Sequence, residues 1–145
     1  MIEVEGRGEL SNAPDEVFDL LADARNEERW HPRAKRIEKT TPGAIGSGTE
    51  FRCDYRGIGR MAVRITDYER PHRLGFAAEG RTLRMKIQFD LLPHDHGTAV
   101  AIHAQIEPRG VFRLTEPLLR PLMRHEFARR PKQLREALAS QRVVP

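Results

Sequence analysis

Six histidines, one cysteine, two tyrosines and one tryptophan are the side chains of this 145-residue sequence best suited to chemistry. His94 and His96 stand two apart in "PHDHG", a spacing that could hold a metal. Pro93, Asp95 and Gly97 make that stretch a hairpin turn, where histidines are solvated, so no metal site is expected. His103 falls on the outer face of a strand pattern, His72 in a Pro-His turn, and His125 between Arg124 and Glu126 on a helix. His31 is the most interesting of the six, beside the only tryptophan, Trp30, and before Pro32, though with no acid partner near it in sequence. Cys53 alternates with Phe51 and Tyr55, and a thiol buried among apolar groups has a raised pKa and is inert. Gly43 and Gly48 have the spacing of a phosphate-binding loop, but Thr49 stands where that loop needs lysine. Neither a Ser-His-Asp order nor a pair of inward carboxylates is visible. Tyr55 is the best single candidate to orient a ligand; its hydroxyl, if buried, must find a partner, and solvent or backbone at the strand end is the equal alternative.

The composition narrows the classes. Charged residues make up 32% and apolar ones 39%, the balance of one folded domain rather than a disordered chain. No apolar run approaches the roughly 18 residues of a membrane helix, and "MIEVEGRGEL" lacks the features of a signal peptide. One cysteine excludes an intrachain disulfide, so a cytoplasmic location is the default expectation. The net charge of +4 comes from arginines interspersed with acids along the chain. Arg52, Arg56, Arg64, Arg84 and Lys86 share the predicted outer sheet face with Glu50, Asp54 and Asp90, the pattern of a solvated sheet, and nucleic acid is not an expected partner.

The elements that must position these groups follow from periodicity. "IEVEGRGEL" alternates as a strand. "APDEVFDLLADA" opens with Pro14 and two acids and turns Val17, Phe18, Leu20 and Leu21 to one face, as a helix does. "NEERW" is a second short helix stopped by Pro32. The period is then two through "TEFRCDYRG", "MAVRITDYE", "RLGFAAEG", "LRMKIQFDL" and "TAVAIHAQIE", the wet-on-one-face pattern of an antiparallel sheet. From about Leu114 the period is helical again, with Leu119, Met123, Phe127, Leu134 and Leu138 in one stripe, Pro131 inside it, and Leu114, Leu118 and Leu122 off it. One helix is about 10 Å wide and a seven-stranded sheet about 30 Å, so the sheet must curl around the helix, which leaves space between them.

The order of these elements and the strings "APDEVFDLLAD", "RWHPRAKRIE", "TPGAIGSGTEFR", "ITDYERPHRLGF", "FDLLPHDHGTAV" and "LREAL" resemble the polyketide cyclase/dehydrase-like branch of the START-like (SRPBCC) superfamily. The resemblance implies an α+β helix-grip fold: a curved antiparallel sheet of six to seven strands around a long C-terminal helix, in one ligand-binding domain over 1–140 with a mobile tail at 141–145. It also implies an internal cavity for a small, mostly apolar molecule.

Three functions are expected to compete. The first is binding or transport of a hydrophobic or amphipathic ligand (a lipid, isoprenoid, quinone or polyketide), without a cofactor. Its walls would be Phe51, Tyr55, Val63, Ile65, Phe76, Met85, Ile87, Val100 and Ile102, with Leu119, Met123 and Phe127 from the helix and Trp30 at the rim. The second is a polyketide cyclase, dehydrase or aromatase in the same cavity, with Tyr55 and His31 as candidate catalytic groups and an inward arginine, not assigned to a position, to polarise a carbonyl. The third is a homodimer seam through Leu114, Leu118 and Leu122. Regular strand alternation underlies the wall residues, and a β-bulge would turn some of them outward.

Overall fold

The computed structural model describes the backbone of residues 1–143 and the side chains of residues 1–139. Strand β1 (Ile2–Leu10) leads to helix α1 (Pro14–Ala22), a 3-10 turn (Ala24–Asn26) and helix α2 (Glu27–Trp30). Strands β2 (Ala34–Lys39), β3 (Glu50–Tyr55), β4 (Gly59–Glu69), β5 (Arg73–Gly80), β6 (Leu83–His94) and β7 (Gly97–Pro108) follow. A 3-10 turn (Gly110–Thr115) then precedes helix α3 (Glu116–Val143). The seven strands form one antiparallel sheet in the order β1-β7-β6-β5-β4-β3-β2, with α3 packed chiefly on β1. This is the helix-grip architecture. Of the C-terminal tail expected at 141–145, the backbone to Val143 is helical; the side chains from residue 140 on and all of residues 144 and 145 lie outside the described residues.

Alternation decides the inner face. Met85, Phe89 and Leu91 of β6 stand opposite Ile106, Ile102 and Val100 of β7, and all six are buried. Two glycines let α3 approach β1. A methyl group at Gly6 would sit 2.3 Å from the Phe127 carbonyl oxygen, and one at Gly8 would sit 2.4 Å from the Pro131 ring. Strand glycines of this kind mark close approach of another chain segment. Pro131, expected to kink the helix, rests on this glycine strip, and Pro121 is a second proline inside α3.

A register shift between Ile65 and Asp67 of β4 alters the alternation. Tyr68 rather than Asp67 returns to the inner face, where its ring meets Phe18 edge-on at 5.0 Å. Asp67, whose strand-end position suggests an inward polar group, is exposed, its carboxylate beside Gly75. Gly43 and Gly48, both at φ 89°, make the turns between β2 and β3. The glycine-rich stretch is thus a connection between strands.

Candidate functional site

A cavity of about 50 Å³ lies between the inner sheet face and α3. Its apolar wall comes from Ile58, Met61 and Val63, from Phe76 and Ala78 of β5, and from Met85, Ile87 and Phe89 of β6, closed by Leu21 and Met123. Its polar end is built by Glu27, Trp30, His31, Tyr55, Glu126 and Arg130. The space has room for only a few waters. It is smaller than the roughly 300–1,000 Å³ of ordinary ligand sites, so a larger guest must displace wall side chains. Met61, Met85 and Met123 are the residues best able to yield, because an unbranched thioether repacks easily.

The short α2 sets the polar end. Asn26 Nδ2 donates to the Leu20 carbonyl at 3.1 Å and ties the start of α2 to α1. Glu27 is one helical turn before Trp30 and His31, which puts all three on neighbouring positions. Tyr55 donates its hydroxyl proton to Glu27 Oε2 at 2.5 Å. Glu27 is half-buried as a residue, and its carboxyl is the enclosed part. Burial raises the Glu27 pKa above the usual carboxylate value, against the lowering effects of the Tyr55 hydrogen bond and the Arg130 charge. Burial likewise drives the Tyr55 phenol well up, helped by the neighbouring Glu27.

Arg130 enters from α3 and is 6% exposed. Its guanidinium lies over the Phe127 ring at 4.4 Å and near the Trp30 ring at 5.5 Å, which favours a cation there. Its Nη2 stands 3.0 Å from His31 Nε2. On the other side of that imidazole, Nδ1 accepts the Arg33 backbone N–H at 3.1 Å. Burial, then the charges of Arg130 and Arg33, lower the His31 pKa to about 3, so the ring is neutral at physiological pH. Arg33 also bonds Glu126 of α3 through its Nε at 2.5 Å, locking the α2–β2 connection onto the helix.

The residues expected as walls divide. Trp30, Tyr55, Val63, Phe76, Met85, Ile87 and Met123 line the cavity. Phe51, Ile65, Val100, Ile102 and Phe127 are buried in the surrounding core, and Leu119 packs half-buried against it. Of the candidate catalytic groups, His31 and Tyr55 lie together at the polar end, ring centres 5.1 Å apart. Cys53 is buried and its thiol pushed up to about 12, mainly by burial. His94 and His96 are exposed in their turn, His94 beside Glu9. Among the described residues no cluster of three metal-ligating side chains occurs.

Sequence reasoning missed Glu27, Glu126 and Arg130, and two inward carboxylates are present after all. These three groups sit on α2 and α3, whereas alternation of period two reports only strand faces. A signal existed. Arg130 lies seven residues after Met123 and four before Leu134, inside the apolar stripe of α3, a position where a charge is conspicuous.

An open depression of about 730 Å³ on the outer sheet face is larger. It is lined by Arg52, Arg60, Arg64, Arg84 and Lys86 with Glu50 and Glu79. Arg52, Arg60 and Arg84 already pair with Glu38, Asp54 and Glu79, as a solvated face of mixed charge does.

TTHA0849 from Thermus thermophilus superposes with a TM-score of 0.79 at 22% identity, covering 96% of this chain and 98% of that one. A START superfamily protein from Mycobacterium smegmatis gives 0.68 at 14% identity, over 96% and 95% of the two chains. The di-domain ARO/CYC BexL from the BE-7585A biosynthetic pathway gives 0.68 at 18%, over 96% of this chain and 47% of that one. These likenesses establish a START-like fold. No curated protein sequence matches the chain. The sequence model of the family described as polyketide cyclase / dehydrase and lipid transport matches residues 1–139. Almost none of the chain lies outside that match, and the chain therefore belongs to the polyketide cyclase/dehydrase and lipid transport family.

Proposed function

We propose that this protein binds or carries a small hydrophobic or amphipathic molecule, of the lipid, isoprenoid, quinone or polyketide kind, between the sheet and α3. The observation that carries this reading is the partly enclosed, mainly apolar cavity with its polar groups gathered at one end. Burying about 300 Å² of apolar ligand is worth about 7 kcal/mol gross at about 25 cal/mol/Å². Association costs reduce this to modest affinity, with specificity left to the polar end. Native mass spectrometry of the purified protein, followed by organic extraction, tests the reading. A stoichiometric apolar adduct is expected. An empty protein that also takes up no lipid, quinone or polyketide from a panel would contradict it.

The Glu27–Tyr55 pair favours a second reading, an enzyme of the cyclase, dehydrase or aromatase type in the same cavity. A carboxyl with a raised pKa beside a phenol is suited to moving protons at a bound polyketide, and Arg130 is placed to polarise a carbonyl. Turnover of a polyketide substrate that disappears in Glu27→Gln while binding persists would select this reading over a carrier. Binding without turnover in the wild type would reject it.

The exposed leucines support a homodimer. Leu114 is 84%, Leu118 79% and Leu122 44% exposed, with Val111 beside them in sequence at 75%. Apolar side chains so clustered mark a contact surface.

A further inference from the structure

His31 has one lone pair and two donors facing it. In a neutral imidazole one nitrogen carries the proton and the other accepts. If Nδ1 accepts the Arg33 N–H, the proton is on Nε2 and points at the Arg130 guanidinium, which can only donate. The other tautomer moves the same conflict to Arg33. An acceptor that bridges His31 Nε2 and Arg130 from the cavity side, with their 3.0 Å contact opening to admit it, removes it.

Two further observations point to that acceptor. The Trp30 indole N–H is buried and has no hydrogen-bond partner among the described residues. Its ring lies 5.6 Å from the His31 ring and 5.5 Å from the guanidinium carbon. A buried orphan donor of this kind costs free energy unless a guest satisfies it. Arg130, moreover, has no carboxylate oxygen within 4.0 Å among the described residues. Glu126 is committed to Arg33, and Glu27 receives the Tyr55 hydroxyl. Burial works against the charged form of Glu27, and Glu27 and Glu126 act on the buried Arg130 cation by charge alone, so its guanidinium lacks a bidentate carboxylate partner.

We propose that the polar end of the cavity receives a carboxylate, and that the ligand is an apolar monocarboxylic acid. Its head group bridges Arg130 and His31 from the cavity side with the Trp30 N–H alongside, and its hydrocarbon part lies along Met61, Met85 and Met123. This rests on the cavity-binding reading above and names the head group that reading leaves open. A planar carboxylate fits the guanidinium fork, and its two oxygens can take several N–H donors at once.

The test compares decanoate with decanol, equal in chain length and differing in the head, by isothermal titration calorimetry at pH 7.5. The wild type is expected to bind decanoate about tenfold or more tightly than decanol, the advantage of a charge-assisted pair. The acid-to-alcohol ratio should fall close to one in Arg130→Met and should shrink partly in Trp30→Phe, which removes the orphan donor together with part of the ring and leaves Arg130 in place. Since Trp30 is the only tryptophan, its fluorescence in the wild type reports arrival of the head group directly. Equal affinity for acid and alcohol overturns the inference and leaves the cavity reading intact. Binding of neither overturns both. If Arg130→Met fails to fold by circular dichroism, the wild-type ratio and Trp30→Phe decide.

Discussion

At the scale of single residues, burial sets the protonation states that matter. His31 is neutral in the fold, with a pKa near 3, and ordinary in the unfolded chain, near 6.5. A lowered folded pKa means that the unfolded state takes up the proton first. Its contribution to stability is therefore complete above about pH 6.5 and is lost as pH falls toward 3, at up to about 1.4 kcal/mol per unit. Glu27 acts with the opposite sign. Its raised folded pKa makes the fold bind the proton first, so its part of stability is present below the unfolded carboxyl pKa and is lost as pH rises through the folded one. Urea titrations of wild type and His31→Asn across pH 4.5–7 separate the two, because Glu27 is common to both. The wild-type curve should fall more steeply toward acid; parallel curves would count against a buried neutral His31. Cys53 gives an independent check on the core. With its thiol at about 12, native protein at pH 8 should resist iodoacetamide, while urea-unfolded protein reacts.

At the scale of elements, the approach of α3 to β1 depends on two missing side chains. Gly6→Ala would place a methyl group 2.3 Å from a helix carbonyl, where the neighbour is backbone and cannot turn aside. The loss should be about 2 kcal/mol or more, read as a lower urea midpoint with unchanged slope. Wild-type stability in Gly6→Ala would show that α3 does not sit where described. Strands and helices were legible in the sequence because alternation and the 3.6 period are written in residues such as Leu83, Met85 and Phe89 or Met123 and Phe127. The glycine strip was written there too, in "EGRGEL", but its meaning depends on a helix more than 110 residues later. The site was half legible. His31 and Tyr55 stood out by type and neighbourhood, whereas Glu27 and Arg130 acquire meaning only when α2 and α3 meet over the sheet. The bulge at Ile65 and Asp67 was not legible, because nothing local in "RITDYE" announces it.

At the scale of the whole molecule, the sheet and α3 wall the cavity, while the 3-10 turn before α3 presents Leu114 to solvent and the first turn of α3 presents Leu118. If those leucines join two copies, sedimentation should show a concentration-dependent mass that Leu118→Glu abolishes; a monomer at all concentrations would end that proposal. The central claim, that a guest enters between sheet and helix, can be read from the methionines. The chain has four, of which Met61, Met85 and Met123 line the cavity and Met1 is 64% exposed. With 13C-methyl-methionine labelling, titration with 1-aminoanthracene, an uncharged apolar probe, should shift the three cavity methyl resonances together and saturably and leave Met1 in place. Saturable binding that moves Met1 alone, or none of the four, would contradict it.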